Sequence, residues 1–300
     1  MTDSAIILDG KATAKAVRAD VAVRVKALAQ GGVKPGLRVV LVGEDPASEV
    51  YVRNKDRAAT EAGIDVATVK LKENTTQAEL MEVVAGLNAD RAVHGILVQL
   101  PLPRGLDEGM VVNALDPAKD VDGLHPSNIA ALVQGRPGLV PCTPAGCIEL
   151  LDRASIAMEG KHVVIVGRSQ LVGKPLVQLA LDRNATVTLC HSRTQDLAGH
   201  VGRADILVAA VGRARLIQGD WIRPGAVILD VGINRGEDGK LVGDVDFESA
   251  KKKAAAITPV PGGIGPMTIA MLLSNTVLAA ARQTGTEALL DSLTSSCGAS

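Results

Sequence analysis

The sequence predicts an α/β fold in two halves, each built on a parallel sheet covered by helices. Three observations carry that prediction. Short aliphatic runs closed by glycine or proline alternate with helix-length stretches along nearly the whole chain. The hydrophobic content of 47% is almost all aliphatic, with aromatics at 1%, which suits strands buried on both faces. At 300 residues the chain is long enough for two domains, and Pro126, Pro137, Pro141 and Pro144 cluster near its middle. The connection between the halves is therefore expected across residues 126–144.

Taken in order, residues 5–8 read as a short strand and residues 10–30 as a helix stopped by Gly31-Gly32. Residues 37–42 are an aliphatic strand closed by Gly43, followed by a helix over 46–62 that Gly63 stops. Residues 66–71 form a second strand and residues 77–88 a helix, with Thr75-Thr76 as caps. A third strand over 94–100 ends in Gln99-Leu100-Pro101-Leu102-Pro103. Beyond the connection, Thr143-Pro144 marks a helix start leading into 145–151. The run 161–166 is a buried strand that breaks at Gly167, with a helix behind it to about Arg183. Further strands are expected at 186–190, 205–209, 226–231 and 256–258. Residues 267–282 form a long helix that packs back on the first half, and residues 284–300 are a polar tail expected to fray.

Composition removes several functions. Lys+Arg 32 against Asp+Glu 33 gives a charge of −1, with no basic surplus for a polyanion, and the few aromatics cannot build a base-stacking platform. Cys142, Cys147, Cys190 and Cys297 form no CxxC pair and no zinc spacing with histidine, so they read as small buried hydrophobes and no metal is expected. No leader and no membrane-spanning apolar run stands out, so a cytoplasmic protein is expected.

The polar residues that remain fall into two groups. Ser48, Tyr51 and Lys55 are spaced i, i+3, i+7 and share one helix face; Tyr51 is the only tyrosine. A hydroxyl, a ring and an amine on one stripe suit a flat polar ligand, and equally a solvated helix face. Ligands of parallel sheets bind beyond the carboxyl ends of strands. Gln99 sits at one such end and the stripe follows another, which brings Tyr51, Lys55 and Gln99 to one rim; a strand-end glutamine also serves to bond a turn. In the loop 116–126, Asp120 and Asp122 lack EF-hand spacing. They either close Asx-turns or offer a carboxylate to the amino-amide edge of a pterin-like ring.

The second group is a dinucleotide half-site. A strand, a turn holding Gly167, Arg168 and Ser169, and a helix opened by Gly173-Lys174-Pro175 would aim backbone amides at a pyrophosphate. Five residues separate Gly167 from Gly173 and no Ser or Thr follows Lys174, so this is not a Walker loop. Ser169 replaces the middle glycine of G-x-G-x-x-G. The strand 186–190 ends in His191-Ser192-Arg193-Thr194, with no acid for a ribose 2′-hydroxyl. Ser192 and Arg193, with Arg168 near by, suit a 2′-phosphate and favour NADP, although Arg193 also reads as a surface charge. Trp221 reads as packing, and the loop 259–266 with Pro261, Gly262 and Gly263 as a backbone wall for a ligand.

Seven motifs in order then give a resemblance over roughly residues 5–283. They are Ser48-xx-Tyr51-xxx-Lys55, Gln99–Pro103, Lys119–Pro126, Pro141-Cys-Thr-Pro144, Gly167 through Pro175, Asp230-Val-Gly-Ile-Asn234 and Pro259 through Thr268. The chain resembles the bifunctional methylenetetrahydrofolate dehydrogenase/methenyltetrahydrofolate cyclohydrolase family. Ile264 stands where valine is usual, and Val211-Gly-Arg-Ala-Arg215 lacks a proline often found after its glycine. The resemblance implies an N-terminal three-layer α/β catalytic domain (1–140, completed by helix 267–283) and a C-terminal Rossmann-like NADP-binding domain (141–266), with a cleft between them. It implies NADP⁺-dependent oxidation of 5,10-methylenetetrahydrofolate and hydrolysis of the methenyl product to 10-formyltetrahydrofolate, in one-carbon metabolism, by a homodimer. It further implies Lys55 as the catalytic amine, Gln99 tuning it, Asp122 holding the pterin and Tyr51 stacking on the folate. Ser48 and the loop Pro261-Gly262-Gly263 join the substrate side; Gly167, Arg168, Ser169, Ser192 and Ile233 match cofactor positions, to which the residue reading adds Arg193. A dehydrogenase without the second activity, an NADP-linked enzyme of a shikimate-type alcohol, and a silent nucleotide-binding protein are the competing readings.

Overall fold

The computed structural model describes residues 5–44, 46–236 and 238–296. The chain forms two compact units: Lys15–Cys142 with the chain from Ile269 onward, and the chain up to Ala14 with Thr143–Thr268. Both are parallel α/β units.

Strand β1 (Ile6–Ile7) and helix α1 (Gly10–Gln30) open the chain. The first sheet then takes β2 (Gly36–Val42), α2 (Pro46–Glu61), β3 (Asp65–Leu71), α3 (Gln77–Ala89) and β4 (Gly95–Val98), in strand order β3-β2-β4. Central β2 is the most aliphatic strand and is buried along nearly its whole length, with Val39 opposite Thr68 on one side and Leu97 on the other. Val40, Ile96, Leu80 and Val84 join Val111 and Leu115 in its core. Helix α3 begins as its sequence predicts: the Thr76 hydroxyl accepts from Glu79 N at 3.3 Å and Glu79 Oε2 accepts from Thr76 N at 2.8 Å.

Helix α3 ends on a buried cation. Lys119 Nζ donates to Asn88 O and Asp90 O, both at 2.7 Å, and to Leu87 O at 3.3 Å. The Lys119 side chain thus satisfies carbonyls that a helix end leaves open. Lys119→Met strips these acceptors of their donor in a buried setting, and is expected to destabilise the protein by about 3 kcal/mol. A lowered urea midpoint with unchanged slope reads that loss.

Ahead of residue 140, two helices escape the sequence reading: α4 (Glu108–Ala114) and α5 (Pro126–Val133). Residues 126–133 are therefore not a connection. Pro126 sits at the start of α5, where a proline costs no hydrogen bond, and His125 Nδ1 accepts from Ser127 N at 3.1 Å as its cap. Helix α6 (Cys142–Arg153) starts ahead of Thr143, whose hydroxyl pairs with that of Thr268 at 3.0 Å instead of capping.

The second sheet has six parallel strands in the order β1-β11-β8-β7-β5-β6. It takes β5 (His162–Val166), α7 (Gly173–Leu181), β6 (Thr186–Cys190), α8 (Leu197–Val201), β7 (Ile206–Ala209) and β8 (Val227–Asp230). A small antiparallel pair, β9 (Asn234–Arg235) and β10 (Leu241–Val242), and helix α9 (Phe247–Ala250) lead to β11 (Ala256–Ile257). Strand β1, first in the chain, belongs to this sheet: Ile6 pairs with Ala256 and Ile7 with Ile257. Trp221 packs against the core around Val164, Leu207 and Ile228, as expected of a packing residue.

Helix α10 (Ile264–Thr284) follows, then α11 (Ala288–Ser296), where an unstructured tail was expected; Cys297 lies outside the described residues. By length and apolarity α10 would pass as a membrane span, contrary to the sequence reading, but its most apolar window is 61% buried inside the protein. Cys142, Cys147 and Cys190 are buried free thiols.

Candidate active site

In the three-stranded unit, the stripe on α2 and the end of β4 converge. Lys55 Nζ donates to Gln99 Oε1 at 2.9 Å and stands 4.3 Å from the centroid of the Tyr51 ring. The glutamine is fixed at its other end, where Nε2 donates to Leu100 O at 2.7 Å, so its carbonyl is committed to the amine. The rim placement expected from strand ends is thus observed for Tyr51, Lys55 and Gln99. Ser48 lies on the same helix, with its side chain outside the described residues.

The aspartate loop divides its labour. Asp120 is buried and folds the loop: Oδ2 accepts from His125 N at 2.7 Å and from Asn128 Nδ2 at 2.9 Å. Asp122 is part-buried, interacts with Lys55 electrostatically and shares a hydrogen bond with the Cys142 thiol. Two residues that sequence reasoning did not single out complete the surroundings. Cys142 Sγ donates to Val121 O at 3.2 Å, and Asn275 Nδ2 donates to Val121 O and Val140 O, both at 2.9 Å. Asn275 thereby ties α10 to the backbone that carries Asp122; no spacing signal links positions so far apart.

Lys55 is only 4% exposed. Burial pushes its amine down to about 8, against the opposing pull of Asp122, Cys142 and Asp56. Burial likewise raises the Asp122 carboxyl, and Lys55 opposes that rise. An amine that titrates near neutral pH, held by an amide oxygen beside a ring face and a carboxylate, can take up and return a proton next to a flat substrate.

The other group lies in the six-stranded unit. Gly167, Arg168, Ser169 and Ser192 line a single cavity of 390 Å³, with Val211 and Arg213 on its wall. That volume falls within the ~300–1,000 Å³ of small-molecule sites. Gly167 has φ +123°, and a Cβ there would stand 2.0 Å from Ala210 O; a Cβ on Gly173 would stand 1.8 Å from Gly167 O. Both glycines are thus required by backbone contact, as the strand–turn–helix reading predicts. Arg193 is exposed and does not line the cavity; Arg213 does, and sequence reasoning passed over it. Ile233 is 60% exposed. Pro261, Gly262 and Gly263 also belong to this unit, where Gly262 O accepts from Lys11 N at 3.1 Å and Gly10 has no room for a side chain.

Comparison with known proteins identifies the family. The profile "Tetrahydrofolate dehydrogenase/cyclohydrolase, catalytic domain" matches residues 8–122, and "Tetrahydrofolate dehydrogenase/cyclohydrolase, NAD(P)-binding domain" matches residues 141–284. The bifunctional protein FolD of Acidiphilium cryptum is 58% identical over 278 residues, 93% of this chain and 99% of its own. Among solved structures, the FolD methylenetetrahydrofolate dehydrogenase/cyclohydrolase of Campylobacter jejuni is 45% identical with a TM-score of 0.91, covering 93% of this chain and 99% of its own. The Trypanosoma brucei enzyme, solved with NADP cofactor and inhibitor, is 40% identical with a TM-score of 0.89, over 94% and 99%. Two profiles in tandem and near-complete coverage of these relatives leave one assignment: the chain belongs to the tetrahydrofolate dehydrogenase/cyclohydrolase family.

Proposed function

We propose that this protein oxidises 5,10-methylenetetrahydrofolate with NADP⁺ and adds water to the methenyl product, opening it to 10-formyltetrahydrofolate with release of a proton. The observation that carries the reading is the buried Lys55 amine bonded to Gln99 Oε1 at 2.9 Å, in a chain of this family. Lys55 handles the protons of the hydrolytic step. Gln99 orients the amine, Tyr51 stacks on the folate, and Asp122 accepts from the amino-amide edge of the pterin. Ser48 supports the stripe. A homodimer is part of the same reading and rests on the family resemblance.

The six-stranded unit suits the dinucleotide. The cavity joins the Gly167 turn to the Ser192 hydroxyl and the Arg168 guanidinium, a donor set made for phosphate, with no carboxylate on its lining. When bound, NADP⁺ supplies the hydride acceptor. The chain's part is to hold: Gly167 and Ser169 shape the turn, Arg168 and Ser192 provide charge and hydroxyl for a 2′-phosphate with Arg213 on the same wall, and Ile233 offers an apolar contact. A paired assay with methylenetetrahydrofolate tests this. We expect kcat/KM with NADP⁺ to exceed that with NAD⁺ by about tenfold or more, the worth of one charge-assisted phosphate contact. Equal values would overturn the cofactor assignment, and no turnover with either would overturn the reading.

A further inference from the structure

The loop after β7, Val211-Gly212-Arg213, forms part of the cavity wall, yet its shape is set from elsewhere. Asp244, wholly buried, accepts from three consecutive backbone amides: Val211 N at 2.6 Å, Gly212 N at 3.0 Å and Arg213 N at 2.8 Å. Asn234 Nδ2 donates to its Oδ1 at 2.9 Å. Successive amides converge on one carboxylate only in a folded nest, and Gly212 supplies the positive φ of +66° that bends the chain there.

Asp244 is itself anchored. Its amide donates to Asp230 Oδ1 at 2.9 Å, Gly232 N donates to the same oxygen at 3.0 Å, and Val245 N donates to Asp230 Oδ2 at 2.9 Å. A Cβ on Gly232 would stand 2.3 Å from Asp244 Cγ, so the carboxylate occupies the space that the missing side chain leaves. Hydrogen bonds therefore run from the end of β8 through Asp230 and Asp244 to the wall that carries Arg213, a second guanidinium beside Arg168 in the cavity.

We infer that Asp244 is a positioning residue for the dinucleotide, holding Val211 and Arg213 in the conformation that receives it. The inference rests on the functional reading above. Asp244→Asn turns one acceptor oxygen into a donor facing donors, so the loop loses its mould while the side-chain volume is kept. NADP⁺ binding to the free protein, measured by calorimetry, is expected to weaken about tenfold, and KM for NADP⁺ to rise alike. Hydrolysis of methenyltetrahydrofolate assayed without cofactor should stay within about twofold, whereas general misfolding would lower both activities. Gly212→Ala decides the matter if Asp244→Asn does not fold. Its Cβ meets open space, so only backbone strain acts, and a rise of about threefold in Kd is expected. A folded variant with wild-type Kd, or one losing both activities in proportion, overturns the inference. Wild-type protein lacking both activities would overturn the functional reading first, and the inference with it.

Discussion

Lys55→Met is expected to reduce the cyclohydrolase activity about 10³-fold, the middle of the range for removing a positioned acid–base group, and to leave a measurable dehydrogenase. The asymmetry follows from what each reaction asks of the protein. Hydride transfer depends on holding two reacting centres in near-attack geometry, and methionine keeps most of the volume that supports the Tyr51 ring. Water addition needs a base, then an acid, and the amine is the group placed for both. Lys55→Arg separates proton handling from charge, because a guanidinium keeps the charge and does not titrate; it should lose cyclohydrolase as methionine does. The pH dependence has a fixed sign. Burial lowers Lys55 to about 8, so its neutral form grows as pH rises, and cyclohydrolase kcat/KM should climb to a plateau with a midpoint near 8. The same limb should be absent from the Lys55→Met dehydrogenase. Unchanged cyclohydrolase in either variant removes Lys55 from the mechanism.

Much of this site was legible because its groups sit at positions that strand ends and helix periodicity define. The shared face of Tyr51 and Lys55 follows from the spacing on α2 and the rim position of Gln99 from the end of β4 at Val98, whereas their roles come only with the family resemblance. What stayed hidden depends on burial and on pairing between distant segments. Asp120 and Asp122 are equivalent in a sequence, and only the Asn128 and His125 bonds of the first, and the Lys55 and Cys142 neighbours of the second, tell them apart. Asn275 reaches Val121 across 154 positions, and Asp244 reaches Val211 across 33, with no periodicity to announce either. The fold divides in the same way. Strands with glycine exits are legible, whereas the sheet that β1 joins is not, because two residues of strand carry no information about their partner. Pro126 was read as loop because a proline at the first turn of a helix and a proline in a connection look alike until the cap is seen.

The complementary variant is Gly173→Ala, where the expected damage falls on the other activity. A Cβ at Gly173 would stand 1.8 Å from Gly167 O and 2.7 Å from the Gly167 carbonyl carbon, both backbone atoms that no rotamer change can move. Gly167 cannot retreat, since its own Cα is held close to Ala210 with φ at +123°. The turn between β5 and α7 must therefore open, which displaces the residues that line the cofactor cavity, Gly167, Arg168 and Ser169. NADP⁺ affinity is expected to fall about 100-fold, equivalent to ~3 kcal/mol, with the NADP⁺-linked oxidation reduced to match at fixed cofactor. Lys55, Gln99 and Asp122 belong to the unit Lys15–Cys142, whose core does not contain this turn, so cofactor-free hydrolysis of the methenyl substrate should persist within a few-fold, about the scatter of a remote substitution. Thermal unfolding followed by circular dichroism establishes that the variant is folded. A folded Gly173→Ala protein with wild-type NADP⁺ affinity would show that the turn is not the phosphate cradle, and the cofactor would then have to be sought elsewhere on the six-stranded unit. Together with Lys55→Met the result forms a double dissociation. Lys55→Met falls mainly on the hydrolysis and Gly173→Ala mainly on the NADP⁺-linked oxidation, which a protein that merely binds nucleotide would not produce.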